Sequence, residues 1–232
     1  AIAQAMAIAA LPAFSAQVAA GKLEAMRHSL AGLLRGLLLL AVPASLGLIL
    51  LREPLVTVIF QRGQFDAAST RLVAWALLWY AAGLVGHSVV EIVSRAFYAL
   101  HDTKTPVIIG VAAMSLNIGL SFLLSSMFVS WGWLPHGALA LANSIATFLE
   151  MGALLFFMRR RLSGLEGKHV LKGLLQELIA GGSMSLALWG WIEFCGRLTL
   201  SSNAAPWVTA LGGIAAGVLV YGLVLVLLRV PE

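Results

Sequence analysis

Apolar runs of about 20 residues constrain the fold of this chain more than any other feature, because a helix that crosses a bilayer needs about that many. Because a spanning segment must satisfy its own backbone hydrogen bonds in lipid, we predict that these runs are α-helices. The predicted fold is therefore an all-α polytopic membrane helix bundle. Its six complete spans are Ala31–Leu51, Arg71–Ser94, Pro106–Val129, His136–Met158, Gly173–Cys195 and Ala205–Leu228.

The composition excludes several classes of protein. Hydrophobic residues make up 60% of the chain and charged residues 11%, whereas a soluble domain has roughly half and a quarter. This deficit of charge argues against a soluble enzyme, a disordered chain and a nucleic-acid-binding module. The single Cys excludes a disulfide framework and a cysteine-based metal site. The sequence contains no nucleophile–base arrangement and no phosphate loop, so we predict no catalytic residue.

The segments outside the complete spans are predicted as follows. The apolar stretch Ala1–Phe14 is too short to span alone, and we expect it to be a partial span, the end of a helix that starts upstream. Ser15–Leu30 is predicted as a surface loop or a short amphipathic helix. Arg52–Thr70 is predicted as a mixed connector, and Arg159–Lys172 as a basic loop.

Three local signals mark helix ends and contacts. Asp66 can cap the helix that begins just after it. Thr105 is predicted as a hydroxyl cap before Pro106 at the first helical position. Gly213 and Gly217 form a small-residue face that permits close approach of another helix.

The basic residues indicate how the spans are oriented. When the loops are assigned to alternate sides, eleven of the 15 Lys and Arg residues fall on one side and four on the other. Loops rich in Lys and Arg remain in the cytoplasm. We therefore expect a multi-pass protein of the bacterial cell membrane with a cytoplasmic C-terminus.

Three ionisable residues in the span Arg71–Ser94 and just after it are candidates for a transport cavity. Glu91 and Arg95 lie one helical turn apart and can form an ion pair, and His87 lies one turn earlier. Ionisable groups within a membrane are costly and often functional. The alternatives are a structural ion pair for Glu91 and Arg95 and a packed, neutral imidazole for His87.

The next two spans carry polar residues at helical spacing. Asn117 and Ser121 share one helix face, and Asn143 and Thr147 share another, which continues to Glu150. We predict a polar seam between these helices. It is either a cation site built from oxygen atoms or a set of interhelical hydrogen bonds, and no metal is firmly predicted.

Two stretches resemble the MurJ/MviN family of bacterial lipid II flippases. Pro54–Phe65 is similar to the family pattern P-L-x-x-x-x-F-x-R-G-x-F, and Arg95–Pro106 resembles R-x-F-Y-A-x-x-D-x-K-T-P. Shorter likenesses at Leu11–Ser15 and Gly137–Ser144 extend the resemblance over residues 1–162. The motif residues of this chain are Phe60, Arg62, Gly63, Phe65, Phe97, Tyr98, Asp102, Lys104, Thr105 and Pro106.

The resemblance implies a fold and a division of the chain. Family members are two-lobed, fourteen-helix flippases of the multidrug/oligosaccharidyl-lipid/polysaccharide exporter superfamily. Residues 1–162 would then be helices of the C-terminal lobe, without the first helix of that lobe. Residues 163–232 would be two additional C-terminal transmembrane helices that form a groove for an undecaprenyl tail. The N-terminal lobe, with most of the family's cavity arginines, would be a partner outside this chain.

The resemblance also implies a function. The chain would be part of a transporter, not an enzyme, that moves an undecaprenyl-pyrophosphate-linked peptidoglycan precursor from the inner to the outer leaflet by alternating access. Membrane lipids would surround it, and neither a cofactor nor a nucleic-acid partner is expected. Coupling to Na+ or H+ is open, and the candidate cation-site residues match polar positions of the family's eleventh and twelfth helices. The alternatives are a polysaccharide or multidrug exporter of the same superfamily and a non-transporting membrane scaffold.

Overall fold

The chain folds into helices joined by short connections. The computed structural model describes residues 2–199, 201 and 204–228, but not the side chains of residues 2 and 168–170. Ala1 and the C-terminal residues 229–232, which the predicted partial span and the predicted cytoplasmic terminus include, lie outside the described residues. The helices are α1 (Ile2–Ala19), α2 (Leu23–Leu50), α3 (Arg52–Phe60), α4 (Ala67–Ala99), α5 (Lys104–Ser130), α6 (His136–Arg161), α7 (Gly167–Arg197) and α8 (Ala205–Leu227).

Within the described residues, six helices are long and apolar enough to cross a membrane: α2, α4, α5, α6, α7 and α8. This confirms the six predicted complete spans. The remaining apolar helix, α1, is shorter, as a partial span would be. All regular structure in the described part of the chain is helical.

Three of the predicted connectors are more helical than expected. The segment Ser15–Leu30 is not a loop: α1 continues through Ala19 and α2 begins at Leu23, with only a tight turn between them. Gly21 takes a positive φ of 69° in that turn. Helix formers such as Ala, Lys, Glu and Arg continue a helix past the membrane surface as readily as inside it. For the same reason Arg52–Thr70 contains α3, and Arg159 to Arg161 form the last turn of α6.

The helix caps were predicted correctly at α4 and wrongly at α5. The backbone N–H of Ser69 donates to Asp66 Oδ1 at 2.8 Å and holds the pKa of Asp66 below its usual value. At α5 the cap is Asp102, not Thr105, because Asp102 Oδ1 accepts the backbone N–H of Thr105 at 3.1 Å. The hydroxyl of Thr105 instead donates to Asp102 Oδ2 at 2.8 Å.

The described chain comprises two compact units. The first contains Ala1–Ala41 and Gly83–Leu174, and the second contains Val42–Ala82 and Leu175–Glu232. Helices α2, α4 and α7 contribute residues to both. The two units are defined by contacts within the fold. They do not test the predicted domain boundary after residue 162, which stays a prediction.

The first unit has a core of side chains from α1, α2, α4 and α6. Phe14, Leu30 and Phe97 are among its fully buried members. Helix α5 packs against α6 and exposes most of its apolar side chains, with Phe122 77% and Met114 69% exposed. A helix that is apolar on its outer face is suited to contact acyl chains.

The second unit is built around contacts at glycines. Leu51, which is 1% exposed, fills the space beside Gly213, where an added Cβ would lie 2.8 Å from Leu51 Cδ2. At Gly217 an added Cβ would lie 3.3 Å from Leu188 Cδ2 of α7. The predicted small-residue face of α8 is therefore confirmed, and large side chains pack into it.

Candidate functional site

A hydrogen-bonded group of three side chains links α4 and α6 within the first unit. His87 Nε2 lies 2.9 Å from Asn143 Nδ2 and 3.2 Å from Thr147 Oγ1. Thr147 is buried, Asn143 is partly buried, and His87 is exposed. The structure thus joins one of the cavity candidates to two of the cation-site candidates, an association that the sequence did not predict.

Two glycines of α4 permit this contact. A Cβ added at Gly83 would overlap Ser144 Oγ and would lie 3.0 Å from Ser144 Cα. At Gly86 an added Cβ would lie 3.2 Å from Thr147 Cγ2. Because helix backbones approach most closely where side chains are missing, α4 and α6 come near enough for His87 to reach across.

The polar residues of α5 lie beside the same part of α6. Ser121 Oγ donates to Asn117 Oδ1 at 3.4 Å, and a Cβ added at Gly110 would lie 3.4 Å from Glu150 Oε1. Consecutive spans run in opposite directions, so Asn117, seven residues after Gly110, is level with Asn143, seven residues before Glu150. The predicted seam between α5 and α6 stays a prediction, since among the described residues Asn117 and Ser121 bond only to each other.

The remaining cavity candidates form an ion pair. Arg95 Nη2 donates to Glu91 Oε1 at 2.6 Å, with the two side chains 23% and 31% exposed. The Arg95 guanidinium also lies 5.7 Å from the centre of the Tyr98 ring, within the range of a cation–π contact. The predicted pairing is confirmed, and Arg95 is held by both neighbours.

The first family motif forms the turn between α3 and α4. The backbone N–H of Phe65 donates to Arg62 O at 3.0 Å, and Gly63 takes a φ of 58°, a conformation that favours glycine. The rings of Phe60 and Phe65 have centres 6.0 Å apart. These residues therefore define the shape of a connector.

The second motif joins α4 to α5 and to the end of α6. Phe97 is fully buried, whereas Lys104 is exposed and Pro106 is buried. Asp102 Oδ2 also accepts a bond from Arg161 Nη2 at 2.6 Å. Burial of the carboxyl works to raise its pKa, but the hydrogen bonds from Thr105 and the positive charge of Arg161 outweigh this and lower the pKa of Asp102.

Two acidic residues that the sequence analysis did not single out have defined partners. Glu177 of α7, only 1% exposed, interacts electrostatically with Tyr221 of α8. Glu166, in the loop before α7, lies with Oε1 2.5 Å from His28 Nδ1 and 4.0 Å from Arg27 Nε. Glu177 could have been found as a carboxyl inside an apolar run, but the pairing of Glu166 with α2 requires the tertiary fold.

The described residues contain no cluster of three or more His, Cys, Asp or Glu side chains that could hold a metal ion. Any cation on the α5–α6 face would therefore depend mainly on amide, hydroxyl and backbone oxygens, and Glu150 is the one carboxylate on that face of α6. A polar face of this kind can bind a small cation or a proton, or can simply join helices.

Comparison with known proteins defines the class. The chain matches the family model described as lipid II flippase MurJ over residues 2–209. The probable lipid II flippase MurJ of Vibrio cholerae is 33% identical over 150 residues, which cover 65% of this chain and 27% of that protein. The Haemophilus influenzae relative of the same description is 28% identical over 204 residues, covering 85% of this chain and 38% of that protein.

A solved structure shares the fold. The lipid II flippase MurJ in its inward closed conformation superimposes with a TM-score of 0.73 and 23% sequence identity, over 98% of this chain and 44% of that chain. The six spans and the polar face inside them define a polytopic α-helical membrane protein. This chain belongs to the lipid II flippase MurJ family. It spans between about a quarter and two fifths of the length of these two curated relatives.

Proposed function

We propose that this chain is part of a lipid II flippase, a transporter that moves a lipid-linked peptidoglycan precursor from the inner to the outer leaflet. The observation that carries the proposal is membership of the MurJ family over residues 2–209. Within the fold, the polar group of α4 and α6 supports transport, because a purely structural bundle has little use for an exposed histidine at membrane depth.

We infer that the chain works together with an N-terminal lobe and alternates access to a cavity between the two lobes. Glu91, Arg95 and His87 are the residues proposed to line this chain's side of the cavity. The lipid's pyrophosphate needs cationic partners, and Arg95 is already neutralised by Glu91. The principal phosphate ligands are therefore proposed to lie in the other lobe.

The orientation follows from charge. Eleven of the 15 Lys and Arg residues lie on one side of the alternating loops, so we infer that this side, including the C-terminus, is cytoplasmic. The link between Asp102 and Arg161 and the cluster of Glu166 with His28 and Arg27 would then lie on the cytoplasmic side.

Helices α7 and α8 are proposed to contact the undecaprenyl tail. Their apolar side chains are widely exposed, with Leu186 72%, Leu219 73% and Val226 75% exposed. Such surfaces accept an isoprenoid chain as readily as acyl chains, so α7 and α8 need no specific polar ligands for this role.

The test is rescue of a strain depleted of its own lipid II flippase by the intact gene that encodes these residues. We expect growth and normal cell shape with the intact gene, and no rescue by residues 1–232 expressed alone. Export of another polysaccharide without rescue would favour the exporter alternative, and rescue that survives loss of the whole polar face would favour a scaffold.

A matched pair of variants tests the role of the membrane ion pair. Glu91→Gln removes a carboxylate bonded to Arg95, whereas Glu193→Gln makes the same change in an i, i+4 pair whose Glu and Arg are 59% and 77% exposed. We expect Glu91→Gln to reduce rescue and Glu193→Gln to leave it unchanged. Equal effects of the two variants would contradict a cavity role for Glu91.

A further inference from the structure

The hydrogen bonds of His87 place a titratable ring at the contact of two spans. Its Nε2 atom meets two side chains of α6, at 2.9 Å and 3.2 Å, while the ring itself is exposed. Among the described residues, Nδ1 forms no hydrogen bond. One nitrogen therefore contacts α6, and another part of the ring is exposed.

The partners determine the state of the ring. The amide nitrogen of Asn143 faces Nε2, and an amide nitrogen can only donate. Nε2 is thus the acceptor, and the neutral ring carries its proton on Nδ1. Thr147 Oγ1 can donate or accept, so it fits this state and can also adapt to another.

We propose that His87 is a proton-binding site that controls the contact between α4 and α6, and that a proton, not a metal cation, is the ion bound at this face. When a proton adds to Nε2, that atom becomes a donor. The Asn143 amide must then turn its oxygen toward the ring or separate from it, and the Thr147 hydroxyl must become an acceptor. Nothing else is gained or released in the step.

The same contacts disfavour Na+ at this position. Two of the four cation-site candidates, Asn143 and Thr147, already bond to a ring nitrogen, which is not a hard oxygen ligand. The other two, Asn117 and Ser121, bond to each other. A Na+ ion would have to displace the imidazole before it could reach the oxygens of both helices.

The charged groups near His87 are few. On α4 itself Glu91 lies one turn away on the same face, and Arg95 pairs with Glu91. On α6 the only titratable group on the contacting face is Glu150, three residues beyond Thr147. The ion pair has no net charge, so Glu150 is the neighbour that could compete with His87 for the proton.

The glycines at the contact allow proton binding to shift α4 relative to α6. At Gly83 and Gly86, α4 has no side chain, so its backbone lies directly against Ser144 and Thr147 of α6. In such a contact a change in two hydrogen bonds can shift the helices, because few side chains interlock across it. Proton coupling of this kind rests on the proposed flippase function, whereas proton binding at His87 does not.

The direct test is a pH titration of the intact gene product in lipid nanodiscs, with ¹⁵N-labelled histidine followed by NMR. The His87 signals are assigned by their loss in His87→Gln, and His101 serves as the internal reference. We expect a neutral ring protonated at Nδ1 at high pH and a single transition to imidazolium on acidification. Removal of the donor in Asn143→Leu should increase the proton affinity of His87 roughly threefold to tenfold.

Two results would overturn the proposal. One is a His87 ring that stays neutral from about pH 5 to pH 9, on either side of the usual histidine pKa. The other is a transition that is unchanged in both Asn143→Leu and Thr147→Val, since the ring would then not sense α6. A pH response of transport that disappears in Glu150→Gln but persists in His87→Gln would assign the proton to Glu150 instead.

Transport in proteoliposomes tests the coupling separately. We expect a pH gradient, but not a Na+ gradient, to change the rate at which the lipid-linked precursor crosses, and His87→Gln to abolish that response. His101→Gln is the matched control and should keep it. Stimulation by Na+ in both His87→Gln and wild type would refute proton coupling. Complete absence of transport, together with a normal His87 titration, would refute the flippase function and leave proton binding at His87 intact.

Discussion

Replacing Gly83 of α4 by alanine tests whether the close contact with α6 supports the polar group of His87. The new Cβ would lie 2.9 Å from Ser144 Cβ and 3.0 Å from Ser144 Cα, whereas carbon atoms prefer about 3.5–4.0 Å. The helices must therefore move apart by roughly 0.7 Å on average. Added to the 2.9 Å and 3.2 Å contacts of His87, this takes both beyond hydrogen-bonding distance.

The expected cost follows from this displacement. Overpacking of a tight contact costs about 1–3 kcal/mol, and the obstruction at Gly83 includes backbone, which cannot rotate away. We expect Gly83→Ala to lower the free energy of unfolding by that amount. The measurement is SDS-induced unfolding of the purified gene product, followed by tryptophan fluorescence, with rescue of the depleted strain as the functional readout.

A graded series provides the controls. The Cβ added in Gly86→Ala would lie 3.2 Å from the Thr147 methyl and 3.5 Å from the Phe148 ring, so its cost should be smaller. Thr147→Ser should relieve the tighter of these contacts while keeping the hydroxyl for His87. Gly152→Ala, on α6 with nothing within 4 Å of the added Cβ, should be neutral or slightly stabilising. If Gly83→Ala is as stable as Gly152→Ala and leaves the His87 signals unchanged, the contact does not support the site.

Two further predictions concern charges. Neutralising either Glu91 or Arg95 should reduce rescue, because the remaining charge loses its partner. Exchanging the two residues should restore part of the rescue. Independent, additive losses would argue against a functional pair. Asp102→Asn should lower the free energy of unfolding by about 1 kcal/mol, through loss of a charged cap and of the ion pair with Arg161. The pKa of Asp102 is below the ordinary value of 3.8, so wild type should have this extra stability at neutral pH and lose it as the pH falls through the lowered pKa. Acid titration of unfolding, compared between wild type and Asp102→Asn, checks this: the two should converge in acid.

The sequence was most informative where one physical requirement dominated. The six spans could be predicted because only a long apolar helix is stable across a bilayer. The cap at Asp66 could be predicted because its partner lies three residues away. The ion pair of Glu91 and Arg95 follows in the same way from the helical repeat.

The site between α4 and α6 could not be predicted, because it depends on how two helices pack. Whether His87 meets Asn143 or lipid depends on helix rotation and register, which Gly83 and Gly86 determine through contacts with Ser144 and Thr147. The extent of α2 was missed for a different reason: a helix does not end where its residues become polar. Nothing in the segment before Ala31 except the turn at Gly21 interrupts the helices.

The double use of Asp102 has a consequence for the assembly of the protein in the membrane. Its cap on α5 involves residues three positions apart, whereas its ion pair with Arg161 spans 59 positions. A ribosome completes α5 and the following turn well before it makes the end of α6. Asp102 can therefore stabilise the start of α5 at once, and it captures Arg161 only when the next hairpin has inserted. The Asp102 carboxylate would therefore first cap α5 and later, through Arg161, hold the end of α6 against the start of α5.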